Sequence, residues 1–109
     1  IAWLGETELN DLLEGYQYTT FTPATLASRE ALISALAQTR EQGFALDREE
    51  NEQGVRCVAV PVWNHESRVI AALSLSTLTS RVDDAELANF REQLQQAGLE
   101  LSRALGYPA

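Results

Sequence analysis

The fold of this chain is decided by the stretch VRCVAVPVW (residues 55–63), NHES (64–67) and RVIAALSLS (68–76). The two apolar segments are dense in β-branched residues, which favour strands. The polar residues between them have the length of a hairpin loop. We therefore predict two antiparallel strands. Pro61 has no backbone N–H to donate to a ladder, so we expect it at an edge or a bulge.

The segment before this hairpin predicts two helices and a short strand. Residues 7–14 carry leucines at helical spacing, with Thr7 as the expected N-cap. A second helix is expected from near Ser28 to Gly43, because glycine commonly ends helices. Phe44–Arg48 then forms a strand candidate, followed by an acidic loop.

A long amphipathic helix is predicted after the hairpin, from about Asp84 to Leu105. Asp83 or Asp84 caps its start, and Gly106 ends it. Helices on both sides of an antiparallel hairpin indicate an α+β domain of two or three layers. The apolar seam of the long helix recurs at steps of three and four residues and consists of Leu87, Phe90, Leu94, Ala97, Leu101 and Leu105.

The composition of the chain excludes several classes of partner. The formal net charge is −8, and all eight basic residues are scattered arginines. A surface this acidic repels phosphate backbones, so we do not expect this segment to bind nucleic acid by itself. No apolar run approaches the ~20 residues that span a bilayer. The single cysteine, Cys57, precludes an internal disulfide and is compatible with a reducing cytoplasm.

From the residues at its N-terminal end, we expect this sequence to be a piece of a longer polypeptide. Methionine is absent, and the chain opens on the apolar run Ile1–Leu4. The 109 residues suit one domain and leave little room for a second. We therefore expect any site shared with the remainder of the polypeptide to be only half visible here.

Side-chain alternation along the two paired strands suggests where a ligand could bind. Small and mildly polar residues share one face of each strand. Because interiors pack at near-crystalline density, such a patch must receive either a closely packed helix or a ligand. Two hydroxyls on one face of an apolar strand need partners, which a polar ligand can supply. The residues on this face are Val55, Cys57 and Ala59 on the first strand and Ile70, Ala72, Ser74 and Ser76 on the second.

A purely structural explanation of these residues stays open at this point. The two serines can form local hydrogen bonds, and Cys57 can behave as a small hydrophobe. Asp47 directly follows an apolar strand, so it either points inward at the end of the sheet or joins a solvated charge cluster. For Glu49, Glu50 and Glu52 we expect the solvated cluster.

Catalytic constellations are missing from the sequence. His65, the only histidine, lies in the predicted hairpin loop without an evident nucleophile or carboxylate partner. Cys57 lies within a strand, far in sequence from any histidine. One histidine and one cysteine do not make a zinc site, and no glycine-rich phosphate loop is present. We therefore predict no enzyme, no metal and no cofactor.

Several segments carry a combined pattern: Gln42–Glu50, Gly54–Val62, Phe21–Pro23 with Thr25, and Val69–Ser76 followed by Arg81. Together they resemble the C-terminal effector-binding domain of IclR-type transcriptional regulators. The resemblance runs over essentially the whole chain and is specific when its pieces are combined. Within the family, residues 73–81 (LSLSTLTSR) are most similar to regulators of aromatic-acid breakdown, which respond to protocatechuate or 4-hydroxybenzoate.

This resemblance implies a fold and a ligand-sensing function. The expected fold is a GAF-like antiparallel sheet flanked by helices, truncated at its N-terminal end, with an effector pocket on one side. Family members carry an N-terminal winged helix-turn-helix domain that binds DNA, and residues 1–109 lack it. The implied partners are a small-molecule effector, a second copy of the protein in a cytoplasmic dimer or tetramer, and DNA only through the missing domain; no membrane is implied.

The family's pocket positions correspond to residues that the alternation already selects. They match Asp47, Cys57, Ser74 and Ser76, with Val55 as an apolar wall. We expect the serine hydroxyls to bind a carboxylate, Ala72 and Val55 to contact a ring, and Asp47 to accept a ring hydroxyl. Two alternatives stay open: an interaction module whose small-residue face only seats a helix, and an enzyme whose nucleophile this sequence does not show.

Overall fold

The computed structural model describes residues 1–108 and confirms the predicted α+β class. The elements, in chain order, are α1 (Glu6–Leu13), α2 (Arg29–Gln42), β1 (Ala45–Arg48), β2 (Val55–Trp63), β3 (Val69–Leu78) and α3 (Asp84–Ala104). The strands form an antiparallel sheet in which β2 lies between β1 and β3.

The predicted hairpin forms, and its register is continuous from Val55, opposite Leu78, to Val62. Asn64 closes the loop, because its Oδ1 accepts the backbone N–H groups of Glu66 and Arg68 at 2.9 and 3.1 Å. Pro61 lies beyond the end of the β1 ladder and next to a register irregularity at Val62/Trp63. We expect Pro61 at an edge or a bulge, and it lies beside the irregularity in a part of β2 that pairs only with β3.

The helix α3 covers one face of the sheet at unusually close range. Val58, Val60 and Val62 of β2 alternate along this face and are almost completely buried. A Cβ atom added at Gly98 of α3 would lie only 2.7 Å from Val60 Cγ2. The fully buried Ser102 donates its hydroxyl to Gly98 O at 2.7 Å and accepts the Trp63 N–H at 2.9 Å. The helix therefore docks through its smallest side chains.

The predicted apolar seam of α3 is wrong in its C-terminal half. Leu87 is buried as expected, but Leu101 is 41% and Leu105 43% exposed. Gly98 and Ser102 are buried in their place. Hydropathy periodicity finds the face with the largest apolar side chains, whereas this helix approaches the sheet most closely where side chains are small.

Two helices begin and end as the sequence predicts. Ser28 caps α2, because its side chain accepts the Ala31 N–H at 3.1 Å, and Gly43 ends it in the left-handed region with φ of 84°. Asp83 caps α3 and forms a reciprocal capping box with Glu86. Backbone groups at these helix ends are thus satisfied locally, as the residue types indicate.

The N-cap predicted for α1 is wrong. The helix begins at Glu6, so Thr7 lies in its first turn and Gly5 takes the cap position without a side-chain hydrogen bond. Leu9 and Leu13 are buried on one side of this helix. Burial of these leucines therefore holds α1 in place more than capping does.

An aromatic cluster joins both chain ends to the sheet. Trp63, the last residue of β2, stacks on Tyr107 with ring centroids 5.6 Å apart. Trp3 meets the same indole edge-on at 5.5 Å. Such pairs add stability beyond the apolar area that they bury, so this cluster closes one end of the domain.

The substitution Gly98→Ala is expected to destabilise the fold by about 1–3 kcal/mol, because the added methyl overlaps Val60 and pushes α3 from the sheet. Alanine favours an isolated helix by up to about 1 kcal/mol over glycine. A net loss in the free energy of unfolding in urea would therefore identify the close contact. In a Val60→Ala background the methyl has room, and Gly98→Ala should cost nothing. An equal loss in both backgrounds would contradict this packing.

Candidate functional site

The face of the sheet opposite α3 carries every predicted site residue. Directly paired residues of antiparallel strands share a face, and alternate residues along a strand do too. Because the buried valines of β2 face α3, the residues between them face away from it. We call this surface the open face; it consists of Ala45 and Asp47 of β1, Val55, Cys57, Ala59 and Pro61 of β2, and Ala72, Ser74, Ser76 and Leu78 of β3.

One end of the open face is an apolar hollow of about 480 Å³. Its floor is made of small side chains, including Ala59, Pro61 and Ala72. Residues 1–4 and the α2 residues Leu36 and Thr39 form its walls. The N-terminal segment is held in place because Arg40 donates to Ala2 O at 3.0 Å. Of the predicted site residues, the structure places Ala72 here.

The other end of the open face is polar. Cys57 Sγ and Ser76 Oγ lie 3.1 Å apart on neighbouring strands and share a hydrogen bond. Ser74 lies opposite Ala59, and its exposed hydroxyl has no hydrogen-bond partner within residues 1–108. Val55 is half-buried at the far end, opposite Leu78. The local hydrogen bond that the sequence left open therefore exists for Ser76 and not for Ser74.

Asp47 completes a row across all three strands. It pairs with Cys57, which pairs with Ser76. Since strands lie about 4.8 Å apart, Asp47 and Ser76 are separated by about 10 Å across the sheet. Asp47 Oδ1 also accepts the Glu50 N–H at 2.8 Å, which closes the turn after β1. The side chain is thus half-buried and oriented by its own backbone, with lone pairs remaining for a further donor.

The interpretation of the acidic loop as a solvated cluster is wrong for Glu49 and Glu50. Both are half-buried, and each carboxylate accepts a backbone N–H, from Gly54 for Glu49 and from Arg48 for Glu50, both at 3.2 Å. Glu52 is exposed, as expected. Acidic side chains therefore serve as the internal hydrogen-bond acceptors of this turn.

Two threonines that the sequence analysis gave no role hold this turn from outside. The hydroxyl of Thr22 donates to Glu49 O, and that of Thr25 donates to Glu50 O. Thr25 Oγ1 in turn accepts the Phe21 and Thr22 N–H groups at 3.0 and 2.9 Å. Threonines flanking a proline turn are a visible signal, but their acceptors lie more than twenty residues along the chain. We call this arrangement the threonine clamp.

Neither a metal site nor a membrane-spanning helix lies within residues 1–108. No group of three metal-ligating side chains could hold a metal ion there. His65 is exposed in the hairpin loop, where its Nε2 lies 3.4 Å from a Glu66 carboxylate oxygen. None of the helices in this part of the chain is long and apolar enough to cross a membrane.

Comparisons with known proteins agree on one family. The model for the C-terminal part of the bacterial transcriptional regulator IclR matches residues 1–103. The HTH-type transcriptional regulator XynR of Escherichia coli K12 is 94% identical over 109 residues, which are the whole of this chain and 43% of XynR. This chain therefore spans less than half the length of that relative.

Solved structures of similar domains show the same fold. The C-terminal domain of the E. coli regulator KdgR superposes with a TM-score of 0.92 at 41% identity, covering 98% of this chain and 65% of that one. An Acinetobacter PobR inducer-binding domain, a double mutant in complex with 3-hydroxybenzoic acid, gives a TM-score of 0.85 at 29% identity. That match covers 93% of this chain and 58% of the PobR chain.

The substitution Thr25→Val is expected to loosen the turn after β1, because valine keeps the shape of threonine but cannot donate to Glu50 O. A loss of about 1 kcal/mol of local stability would raise the open population about fivefold. Trypsin cleavage after Arg48 should accelerate by the same factor. Thr25→Ser retains the hydroxyl and should be cleaved like the unsubstituted protein; equal rates for both variants would disprove the threonine clamp.

Proposed function

Because this chain belongs to the IclR family of bacterial transcriptional regulators and forms an effector-binding domain, we propose that its open face binds a small hydroxylated carboxylic acid. Its relatives are transcriptional regulators, and the chain is not an enzyme. The observation that carries the proposal is the row from Asp47 through Cys57 to Ser76, with the unpartnered Ser74 hydroxyl beside it.

The polar groups of this row define the orientation of the acid. Hydroxyls of Ser74 and Ser76 donate to the carboxylate oxygens of the effector. Asp47 repels that carboxylate and therefore faces the opposite end of the molecule, where it accepts a proton from a hydroxyl group. The separation of about 10 Å between the two ends of the row suits an acid of six or seven carbons with a distal hydroxyl.

The apolar residues of the open face accommodate the carbon skeleton. Ala72 and Ala59 border the hollow, and Val55 forms a wall beyond Cys57. Small side chains leave space above the sheet that a planar group fills without displacing the backbone. We extend the proposal to a hydroxylated aromatic acid; the 3-hydroxybenzoic acid in the PobR structure supports a ring in a domain of this fold.

The action of the whole protein follows from the same proposal. An effector that binds one arrangement of subunits better than another shifts their equilibrium and so changes how paired DNA-binding domains meet an operator. The net charge of −8 argues against DNA contacts through this chain, and we propose that the DNA-binding domains lie elsewhere in the polypeptide. We propose a cytoplasmic homo-oligomer that controls catabolic genes.

An interaction module without a ligand is the second candidate function. Leu101 of α3 and Leu105, which follows the helix as its C-cap, are exposed, which favours a surface for another subunit. A thermal-shift screen separates the two functions, because a sensor gains melting temperature with a small acid, whereas a dimerisation module responds only to its own concentration.

Ser74→Leu is expected to abolish binding of the acid and leave the fold intact, because the exposed leucine occupies the space above the sheet without disturbing a packed contact. Isothermal titration calorimetry measures the loss, and circular dichroism checks the fold. Ser80→Leu, at an exposed position off the open face, is the matched control and should bind normally. Unchanged affinity in Ser74→Leu would rule out this site.

Asp47→Asn is expected to weaken binding of 3-hydroxybenzoate more than that of benzoate. The asparagine retains an oxygen for the Glu50 N–H, so the turn survives, but it is a weaker acceptor for the ligand hydroxyl. A difference of about 1–3 kcal/mol between the two ligands corresponds to a change in selectivity of about 5- to 150-fold. Equal losses would remove the role of Asp47, and a preference for an open-chain hydroxy acid of equal carbon count would exclude the ring.

A further inference from the structure

Three arginines surround a second hollow on the opposite side of the sheet from the open face. The hollow has a volume of about 460 Å³ and lies between β1, β2 and the first turns of α3. Arg48, Arg56 and Arg91 line it, in a chain whose net charge is −8. We call it the arginine hollow; its remaining lining residues are Leu46, Asp47, Asp84, Leu87 and Ala88.

Two of these arginines are direct cross-strand partners. Arg48 of β1 pairs with Arg56 of β2, so both side chains leave the sheet on the α3 face. Like charges directly opposite each other destabilise an antiparallel pair. A pair of like charges that costs stability without an evident structural gain tends to mark a functional position.

The acidic residues nearby neutralise only part of this charge. Arg56 forms an ion pair with Asp84 and donates to Val82 O at 2.9 Å, but the Asp84 side chain is 92% exposed, so the pair is screened by solvent. Asp47 also lines the hollow and accepts the Glu50 N–H, but it forms no ion pair with an arginine within residues 1–108. Glu50 accepts the Arg48 backbone N–H without pairing with its guanidinium.

The other two guanidinium groups keep free donors. Arg48 has no side-chain partner within residues 1–108. Arg91 lies over the Phe44 ring at 4.7 Å, and its terminal nitrogen is 3.9 Å from Glu92, at the limit of an ion pair. The Nε atoms of Arg56 and Arg91 are buried without an acceptor. The cluster therefore holds more donors than the described residues satisfy.

We propose that the arginine hollow binds the oxyanion group of a small molecule, a phosphate or a carboxylate. The planar guanidinium matches both groups through paired N–H donors, and an anion between Arg48 and Arg91 removes the repulsion within the cluster. Val82 O and Asp84 hold the Arg56 guanidinium, and the Phe44 ring supports that of Arg91, so these two arginines are oriented before the ligand arrives. The Arg48 side chain is exposed and free to turn towards the anion. The three arginines lie on the α3 face and the proposed effector contacts lie on the open face, with Asp47 at the edge of the sheet bordering both. The oxyanion proposal does not depend on the proposed effector.

The test compares melting temperatures of the intact protein in phosphate, succinate and sodium chloride at equal ionic strength. Phosphate or succinate should raise the melting temperature relative to chloride. The expected shift is on the order of 5 °C when the concentration of the anion is about ten times its Kd. Response to phosphate alone assigns a phosphate ligand, and response to succinate alone assigns a carboxylate. No response to either acid overturns the proposal and leaves the cluster to an acidic protein partner.

Variants locate the effect in the cluster. Arg48→Gln should raise the melting temperature without oxyanion, because it relieves the repulsion from Arg56, and should lose most of the oxyanion response. Arg91→Gln should lose the response as well. Arg68→Gln, an exposed arginine outside the hollow, is the matched control and should respond like the unsubstituted protein. Equal responses of Arg48→Gln and Arg68→Gln would overturn the site.

Discussion

The contact between α3 and β2 is the constraint on which the rest of the structure depends. Gly98 allows the helix backbone to approach Val60, and Ser102 joins the helix to Trp63 at the irregular end of β2. Because of this contact, one face of the sheet is buried against α3 and forms the core. Because side chains alternate along a strand, the opposite face receives every second residue, and its small side chains leave it shallow.

The turn after β1 is fixed by hydrogen bonds from two directions. Its carboxylates bond to its own backbone, and the threonine clamp bonds to its carbonyl groups from a distant segment. A turn satisfied from both sides loses little freedom when a ligand arrives. Asp47 and Arg48 are consecutive residues at the end of β1 and therefore point to opposite faces of the sheet. The hydrogen bonds of the turn hold the Asp47 carboxylate and the Arg48 backbone N–H.

Charge is distributed unevenly between those faces. The open face presents hydroxyls, a thiol and one carboxylate, whereas the α3 face at the β1 edge concentrates arginines. Two of these arginines have local partners: Arg56 forms an ion pair with Asp84, and Arg91 lies over the Phe44 ring. The two hollows thus differ in the chemistry they offer although the thickness of one sheet separates them.

The order of helices and strands, the hairpin and the common face of the predicted site residues all follow from local patterns in the sequence, because alternation and capping depend on neighbouring residues. Those site residues are Asp47, Val55, Cys57, Ala72, Ser74 and Ser76. Other features could be seen only once the chain was folded. They are the exposed C-terminal end of α3, the threonine clamp, the hydrogen-bonded Glu49 and Glu50, and the convergence of Arg48, Arg56 and Arg91. Each of these depends on groups that are distant in the chain or on how closely two backbones approach. Local periodicity measures neither, since it records which side chains are apolar and not which are small enough to let the backbones meet.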